Sequence, residues 1–227
     1  MTHVSLDCLA GFNASTSREC CCNEIGAGAH LRLITLSGDS SLNRTLLVSP
    51  IPVIFVGGVA GEWRIERIAP VRGEALPSAE RLARIEGTSP PPSGAWTLRG
   101  TTSNERYVTR PEKEALRAVQ PVLGRSESTR AALIPVRKSA AWWDLAQDER
   151  RQIFEERSRH VSLGLRYLPA VARRLYHCRD MGEPFDFLTW FEYAKDDAKR
   201  FEELVAELRR SPEWEFVERE VDVRLAR

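Results

Sequence analysis

The sequence predicts an α+β protein, and three features carry that prediction. The run WRIERIAPV, which starts at Trp63, alternates apolar and charged side chains as a half-buried strand does. Residues 196–210 instead repeat their apolar side chains at helical spacing. Two β-rich runs, 170–178 and 185–194, are separated by only a few turn-forming residues, which favours antiparallel pairing. Helices and strands are therefore mixed along the chain, and some strands pair with their sequence neighbours.

The composition is that of an ordinary globular chain. Of its 227 residues, 42% are hydrophobic and 29% are charged, which allows a buried core in one or two domains. The 33 basic and 32 acidic residues nearly cancel, so charge gives no reason to expect nucleic acid or a membrane as a partner. Five cysteines, three of them adjacent at 20–22, form neither a disulfide framework nor metal-site spacing. We therefore expect a cytoplasmic protein.

The N-terminal region differs from the rest of the chain. Residues 1 to about 45 are rich in Gly, Ser and Thr without a sustained period, so we expect little order there. The apolar run 46–61 is interrupted by Pro50 and Pro52, and it is too short to cross a bilayer. It also lies too far from the N-terminus for a secretory signal. We interpret its second half as an edge strand or a lead-in to one, and residues 1–54 as a poorly ordered extension. An upstream start choice is one hypothesis for that extension.

Residues 55–138 form the first predicted half, with a βαβαβ-like order. A loop at 87–94 is imposed by its prolines and glycines, and Pro111 suits the first turn of a helix. That helix would bury a face with Leu116, Val119 and Leu123. The other predicted elements are a strand from Trp63, a helix over 76–85, a strand over 96–108 and a strand over 132–136.

Residues 139–227 form the second predicted half. A long helical stretch over 142–168 should end at Pro169, because proline cannot continue a helix. The paired strands follow, then the helix over 196–210 and a last strand over 216–225. A βαβ order with paired strands is typical of ferredoxin-like units. The expected inward side chains of the last helix are Phe201, Leu204, Val205 and Leu208.

His160 is the candidate for metal chemistry. It lies beside an apolar helix face, and Ser162 and Gly164 leave room next to it. Histidine is a common axial ligand of haem iron, and a flat macrocycle needs small neighbours around the imidazole. A single helical histidine is also commonly a packed or surface residue, so the residue pattern leaves both interpretations open.

Long strings in this chain resemble the chlorite dismutase family, in particular its short-chain branch. The strings are KSAAWW, LPAVARRLYHCRD, GEPFDFLTWFEY and VEREVDVRL, together with an arginine, Arg173, thirteen residues after His160. A looser likeness through WRIERIAPVRGE, WTLRG, ERYV and LGRSESTRAALIPVRKS extends the resemblance over about 55–227. It implies two ferredoxin-like halves packed as a dimeric α+β barrel, haem b as cofactor and a homodimer. The implied reaction converts chlorite to chloride and dioxygen.

The resemblance also assigns roles to individual residues. His160 would bind the iron, and Lys138 with Glu192 would fix the orientation of the imidazole and make it more electron-rich. Arg173 would hold chlorite and then hypochlorite, because its planar fork of donors suits a small oxyanion. Relatives that decarboxylate coprohaem typically carry glutamine at that place. The remaining expected contacts to the haem are Trp142 and Trp143 at its edge and, in the pocket, Tyr107 and Gln120.

Three questions stay open from the sequence. A turn at Pro169 is needed to bring Arg173 back over the haem, since a straight helix would separate it from His160 by about 20 Å. His177 shares a strand face with Arg173 and is a rival ligand, which we interpret as structural. The alternative functions are a peroxidase-like or coprohaem-related enzyme and a non-catalytic haem carrier or sensor.

Overall fold

The computed structural model describes residues 50–87, 89–102 and 107–227, all within the compact unit Leu47–Arg227. The expectation of little order in residues 1 to about 45 lies outside the described residues. Within them, eight antiparallel strands close into a barrel, and helices pack on part of its outer face. The prediction of an α+β fold is confirmed, since the described residues form both helices and an antiparallel barrel. None of the helices in the described ranges is long and apolar enough to cross a membrane.

The barrel has the strand order β1-β3-β2-β8-β5-β7-β6-β4. Its closure between β4 and β6 is made by one residue pair, Thr101 with His177. The strands are β1 Pro52–Gly58, β2 Trp63–Arg72, β3 Arg81–Glu86, β4 Trp96–Thr101, β5 Arg130–Lys138, β6 Val171–His177, β7 Phe187–Tyr193 and β8 Val217–Ala226. The helices are α1 Arg110–Val119, α2 Ala140–Asp144, α3 Gln147–Arg151, α4 His160–Arg166 and α5 Ala198–Arg209.

The order of strands repeats between the two halves of the barrel. Around the barrel, β4-β1-β3-β2 is followed by β8-β5-β7-β6, so each set of four has its fourth strand beside its first. In the second set, helices connect β5 to β6 and β7 to β8. In the first set, the equivalent connections run from β1 to β2 and from β3 to β4, and neither contains a helix among the described residues. The first helix of the βαβαβ-like order predicted for residues 55–138 is therefore wrong, whereas the helix from Pro111 and the strand after it are present as α1 and β5.

Four local predictions for the first half are corrected. The helix expected over 76–85 is instead a loop leading into β3, because RLARIE has a strand period and pairs with β1 over six residues. β1 is not an edge strand, since β3 and β4 bond to its two sides. The strand expected over 96–108 ends at Thr101. Of the expected inward face of α1, Leu116 is buried and Val119 is 43% exposed.

The second half follows the prediction more closely, with one break. The strands β6, β7 and β8 and helix α5 lie where they were expected. The helical stretch over 142–168 is divided into α2, α3, a π-helical turn Gln152–Arg157, and α4. Arg159 has a left-handed backbone with φ of 52°, which separates the π-helical turn from α4. α4 ends at Arg166, and the chain turns before β6 begins at Val171.

The alternation of side chains along β7 separates two apolar cores. Leu188 and Trp190 belong to the core inside the barrel, whereas Phe191 and Tyr193 belong to the core outside it. Helix α5 covers that outer core with the four predicted side chains Phe201, Leu204, Val205 and Leu208, all of which are buried. The part of the outer face that α5 does not cover faces α4, and a cavity lies there.

Candidate active site

A cavity of about 340 Å³ lies between the outer face of β5, β6 and β7 and the helices α1, α2 and α4. Its walls are largely apolar and include Val136, Phe154, Val161 and Leu175. Six of the eight predicted site residues line it, namely Tyr107, Gln120, Lys138, Trp142, His160 and Arg173. The fold therefore brings together side chains from strands β5 and β6 and from three helical segments.

His160 is the first residue of α4, and one edge of its ring is held. Its Nδ1 lies 2.7 Å from Oε2 of Glu213, which is in the short 3₁₀ turn Pro212–Phe216 before β8. Glu213 is itself fixed by a hydrogen bond from its backbone N–H to Ser158 Oγ at 2.9 Å. With Nδ1–H donated to the carboxylate, Nε2 is the nitrogen with a lone pair for a ligand.

Lys138 shares the carboxylate of Glu213 with His160. Its Nζ lies 2.8 Å from Glu213 Oε1 and 4.7 Å from the centre of the Trp142 ring. Burial raises the pKa of the Glu213 carboxyl, but the charge of Lys138 and the contact with His160 outweigh it and lower that pKa to about 2. Glu213 therefore stays ionised between its two partners, and the pair is almost completely buried.

Glu192 does not have the predicted role. It lies two residues after Trp190 on β7, so its side chain points into the barrel, on the opposite side of the sheet from the cavity. There its carboxylate accepts hydrogen bonds from Gly124 N–H at 2.6 Å and from the Trp190 indole at 2.8 Å. Glu213, which the sequence reasoning missed, takes the place assigned to Glu192.

Arg173 reaches the same cavity from β6, as the predicted turn near Pro169 requires. Gln120 holds its backbone by donating from Nε2 to the Arg173 carbonyl at 2.9 Å. The guanidinium lies against Gly164, where an alanine methyl would come within 2.5 Å of Nη1. Burial lowers the pKa of Arg173, and the charge of Glu155 opposes this. Among the described side chains, Arg173 has no ion pair.

The two adjacent tryptophans differ in position. Trp142 is 1% exposed and lines the cavity, and its indole N–H has no hydrogen-bond partner among the described residues. Trp143 is outside the cavity, because consecutive helical residues point about 100° apart. It stacks on Phe187 and donates to Asp186 Oδ2 at 3.3 Å. The expectation of direct haem contact is therefore not supported for Trp143.

Other aromatic side chains complete the walls. Tyr107 has a positive φ of 63° and sets the edge of its ring against Trp142 at 6.1 Å. His177 also lines the cavity, with its ring 5.2 Å from that of Phe187. Phe154 stacks on the His160 imidazole at 4.4 Å, a contact that the sequence reasoning did not identify. The sequence places Phe154 on the apolar helix face beside His160, but a spacing of six residues does not predict that the two rings stack.

Comparisons with known proteins place this chain in a family. The family model described as chlorite dismutase matches residues 94–227. A crystal structure of a dimeric chlorite dismutase from Nitrobacter winogradskyi is 59% identical, with a TM-score of 0.73, over 77% of this chain and 99% of that one. A mutant chlorite dismutase from Candidatus Nitrospira defluvii is 18% identical with a TM-score of 0.55, over 78% of this chain and 92% of that one, which supports the fold alone.

A curated relative adds a partial match. The chlorite dismutase of Ideonella dechloratans is 35% identical over 86 residues, which are 38% of this chain. The chain thus spans only 28% of the length of that relative. The family model covers β4 to β8 and all of the side chains that line the cavity. On these matches, the chain belongs to the chlorite dismutase family.

Proposed function

We propose that this protein is a haem-dependent enzyme that converts chlorite to chloride and dioxygen. The observation that carries the proposal is the arrangement of His160 and Arg173 in one cavity. His160 has its Nδ1 held by the buried Glu213 carboxylate at 2.7 Å, and Arg173 brings an arginine charge to the same cavity. A fixed imidazole and an oxyanion-binding cation are the two protein groups that this reaction needs.

The residues around the cavity fit haem b. His160 offers Nε2 as an axial ligand, and Gly164, one helical turn further, lets the Arg173 guanidinium approach the same helix. The indole N–H of Trp142 is a buried donor with no acceptor in the part of the chain that the structure describes, and a haem propionate would supply one. The apolar walls suit the macrocycle. We infer that Tyr107 and Gln120 contact the group from the α1 side.

Lys138 and Glu213 tune the imidazole. A carboxylate that accepts the Nδ1 proton makes Nε2 more electron-rich and fixes the tautomer and the ring orientation. Lys138 keeps that carboxylate ionised, since its charge lowers the pKa of Glu213. Iron in the haem would provide the place where the Cl–O bonds of chlorite break and the O–O bond forms.

Arg173 binds the substrate anion. Its guanidinium is a planar fork of N–H donors, which suits a small oxyanion. Lys138 forms an ion pair with Glu213 at 2.8 Å, so its charge is not available to bind an anion. No described carboxylate forms an ion pair with Arg173, which leaves its donors available to chlorite. We infer that it also retains hypochlorite until the second oxygen is transferred.

Oxygen measurement tests this proposal. Haem-loaded protein should release dioxygen when chlorite is the only substrate, and His160→Ala should bind haem poorly and lose the spectrum of imidazole-ligated iron. Haem binding without dioxygen release would favour a carrier or sensor. Oxidation of a donor substrate without dioxygen would favour a peroxidase-like or coprohaem-related enzyme. Unchanged haem occupancy and spectrum in the alanine variant would remove His160 from the site.

Assembly and architecture belong to the same proposal. We infer a homodimer, because the 59% identical Nitrobacter protein is described as dimeric, and its mass in solution can be measured by light scattering. We also infer that the two sets of four strands are ferredoxin-like halves, since their strand orders agree. The cytoplasm is the compartment that the cysteine pattern favours.

A further inference from the structure

The π-helical turn Gln152–Arg157 directly precedes the helix that begins with His160. Ser158 N–H bonds to the carbonyl of Ile153, five residues earlier, at 3.1 Å. The left-handed Arg159 then ends this helical segment, so α4 starts afresh at His160 with its own unsatisfied N–H groups. Turns of this kind are frequent at functional sites. This one places two consecutive side chains, Phe154 and Glu155, against the start of α4.

Glu155 supplies the N-terminal cap of α4. Its Oε2 accepts the Val161 N–H at 2.6 Å, and its Oε1 accepts the Ser162 N–H at 3.3 Å and the Ser162 hydroxyl at 2.7 Å. Arg159 occupies the capping position but forms no side-chain cap. Val161 is 2% exposed, so water cannot replace the carboxylate at its N–H. The first turn of α4, which carries His160, is therefore anchored by Glu155.

Phe154 fixes the plane of the imidazole. Its ring lies 4.4 Å from that of His160, with an angle of 21° between the planes. Glu213 restrains the ring at one edge through Nδ1, and that contact alone still permits the ring to tilt about the hydrogen bond. A face-to-face neighbour removes this freedom and determines the direction in which Nε2 points.

We propose that Phe154 and Glu155 are positioning residues for His160, acting together from the π-helical turn. Glu155 sets the place of the α4 backbone at His160, and Phe154 sets the rotation of the ring. The inference rests on the proposed function in one respect, because it takes His160 as the iron ligand. Neither side chain is assigned contact with chlorite.

The first experiment uses the haem-free protein, so that it is independent of haem chemistry. Glu155→Ala should speed hydrogen exchange at the Val161 and Ser162 amides by about tenfold, as expected for loss of a helix cap. Glu155→Gln keeps an acceptor oxygen and should restore part of the protection. Glu156→Gln is the matched control, since Glu156 is the exposed neighbour on the same turn. Equal exchange in the alanine variant and the control would overturn the role of Glu155.

The second experiment measures haem itself. Glu155→Ala and Phe154→Leu should each raise the haem dissociation rate about tenfold, in line with the loss of an outer-shell partner of a ligand. Both should also alter the spin state of the ferric haem seen by electron paramagnetic resonance, whereas Glu156→Gln should not. An unchanged dissociation rate and spin state in both variants would make these side chains merely structural and overturn the proposal.

Failure of the proposed function and failure of the positioning inference would give different experimental results. If wild-type protein and His160→Ala take up haem with the same spectrum, the proposed function fails, because His160 is then not the ligand. If wild-type haem is ligated by His160 but the Phe154 and Glu155 variants behave as the Glu156 control does, only the positioning inference fails.

Discussion

His160 Nδ1 lies 2.7 Å from Oε2 of Glu213, a residue 53 positions further along the chain. The same carboxylate holds Lys138 Nζ at 2.8 Å through its other oxygen. One buried anion thus joins the end of β5, the start of α4 and the turn before β8. Because its two oxygens have different partners, replacing Glu213 should affect both the stability of the fold and the chemistry of the imidazole.

Glu213→Ala should destabilise the protein by roughly 3–5 kcal/mol, because it leaves the Lys138 charge buried without a counter-ion. Urea unfolding of the haem-free protein measures this. The double variant Lys138→Met, Glu213→Gln removes both charges and should recover much of the loss. If the single variant is as stable as wild type, the buried pair is not what holds these three elements together.

Glu213→Gln tests the effect on the chemistry of the imidazole separately from the effect on the stability of the fold. An amide accepts the His160 proton less strongly than a carboxylate, so Nε2 becomes a weaker electron donor to iron. We expect a higher haem reduction potential and a haem affinity about 10-fold lower. Redox titration and haem transfer to an acceptor protein measure these. Glu215→Gln, in the same turn, is the control and should leave both values unchanged.

The choice of Glu192 over Glu213 shows where sequence reasoning stops. Both are glutamates near aromatic residues, and no local pattern says which face a strand residue takes. Counting by twos from the buried Trp190 puts Glu192 inside the barrel, but the existence of a closed barrel has to be known first. Strand β5 pairs with β8 in antiparallel register, with Lys138 opposite Val217. Glu213 lies four residues before Val217, so knowledge of this pairing would have placed Glu213 near Lys138.

Other features were predictable because their cause is local. The amphipathic period of α5 gave its four buried side chains, and Pro169 indicated the turn that returns Arg173 to the cavity. The first half was predicted less well. RLARIE is a strand because β1 pairs with it, a contact between segments that a helix pattern read in isolation cannot report. The left-handed break at Arg159 was not predictable for a similar reason. It depends on the Glu155 side chain, which reaches across the break to cap α4.

Trp142 and Trp143 offer a matched pair for testing haem contact. The Trp142 indole N–H lies at the cavity and has no partner within residues 50–87, 89–102 and 107–227, whereas Trp143 donates its own to Asp186 behind the cavity wall. Trp142→Phe should therefore lower haem affinity, by a factor of about 10 if the indole bonds a propionate. Trp143→Phe should change it little. Equal losses in the two variants, measured by haem titration, would contradict the proposed role of Trp142.

Acid should weaken the attachment of α1 to the rest of the site. Hydrogen bonds from Arg151, together with its charge, outweigh burial and lower the pKa of Glu112 from 4.5 to about 2. A carboxyl whose pKa is lower in the folded state stabilises the fold above its unfolded pKa and loses that contribution as the pH falls. The loss should therefore occur between about pH 4.5 and pH 2.

Glu112→Gln should remove this pH dependence. Because the ion pair is partly exposed, we expect it to cost on the order of 1–2 kcal/mol at pH 7 and almost nothing near pH 2. Unfolding free energies from urea titrations across this range provide the comparison. Glu114→Gln, on the exposed side of α1, is the control. A constant difference between wild type and Glu112→Gln at every pH would show that the Arg151 pair is not the source.

Arg173 is the residue on which the proposed chemistry depends most directly. Arg173→Ala should keep haem binding, since His160 and Glu213 are untouched, but it should lower chlorite turnover. Losing one oxyanion donor in a well-closed site costs on the order of 100-fold. The cavity opens at Leu175, which is 46% exposed, so water can partly replace the guanidinium and we expect nearer ~10-fold.

The number of turnovers before inactivation is the more specific measurement for Arg173→Ala. Hypochlorite that is no longer retained should escape and bleach the haem, so the variant should stop earlier, and a hypochlorite scavenger should extend its activity. Arg173→Lys keeps the charge but loses the planar fork, so it should fall between alanine and wild type. Arg166→Ala is the control, because that arginine of α4 is paired with Glu207 and does not line the cavity. If Arg173→Ala equals wild type in both rate and total turnovers, Arg173 does not hold the oxyanion.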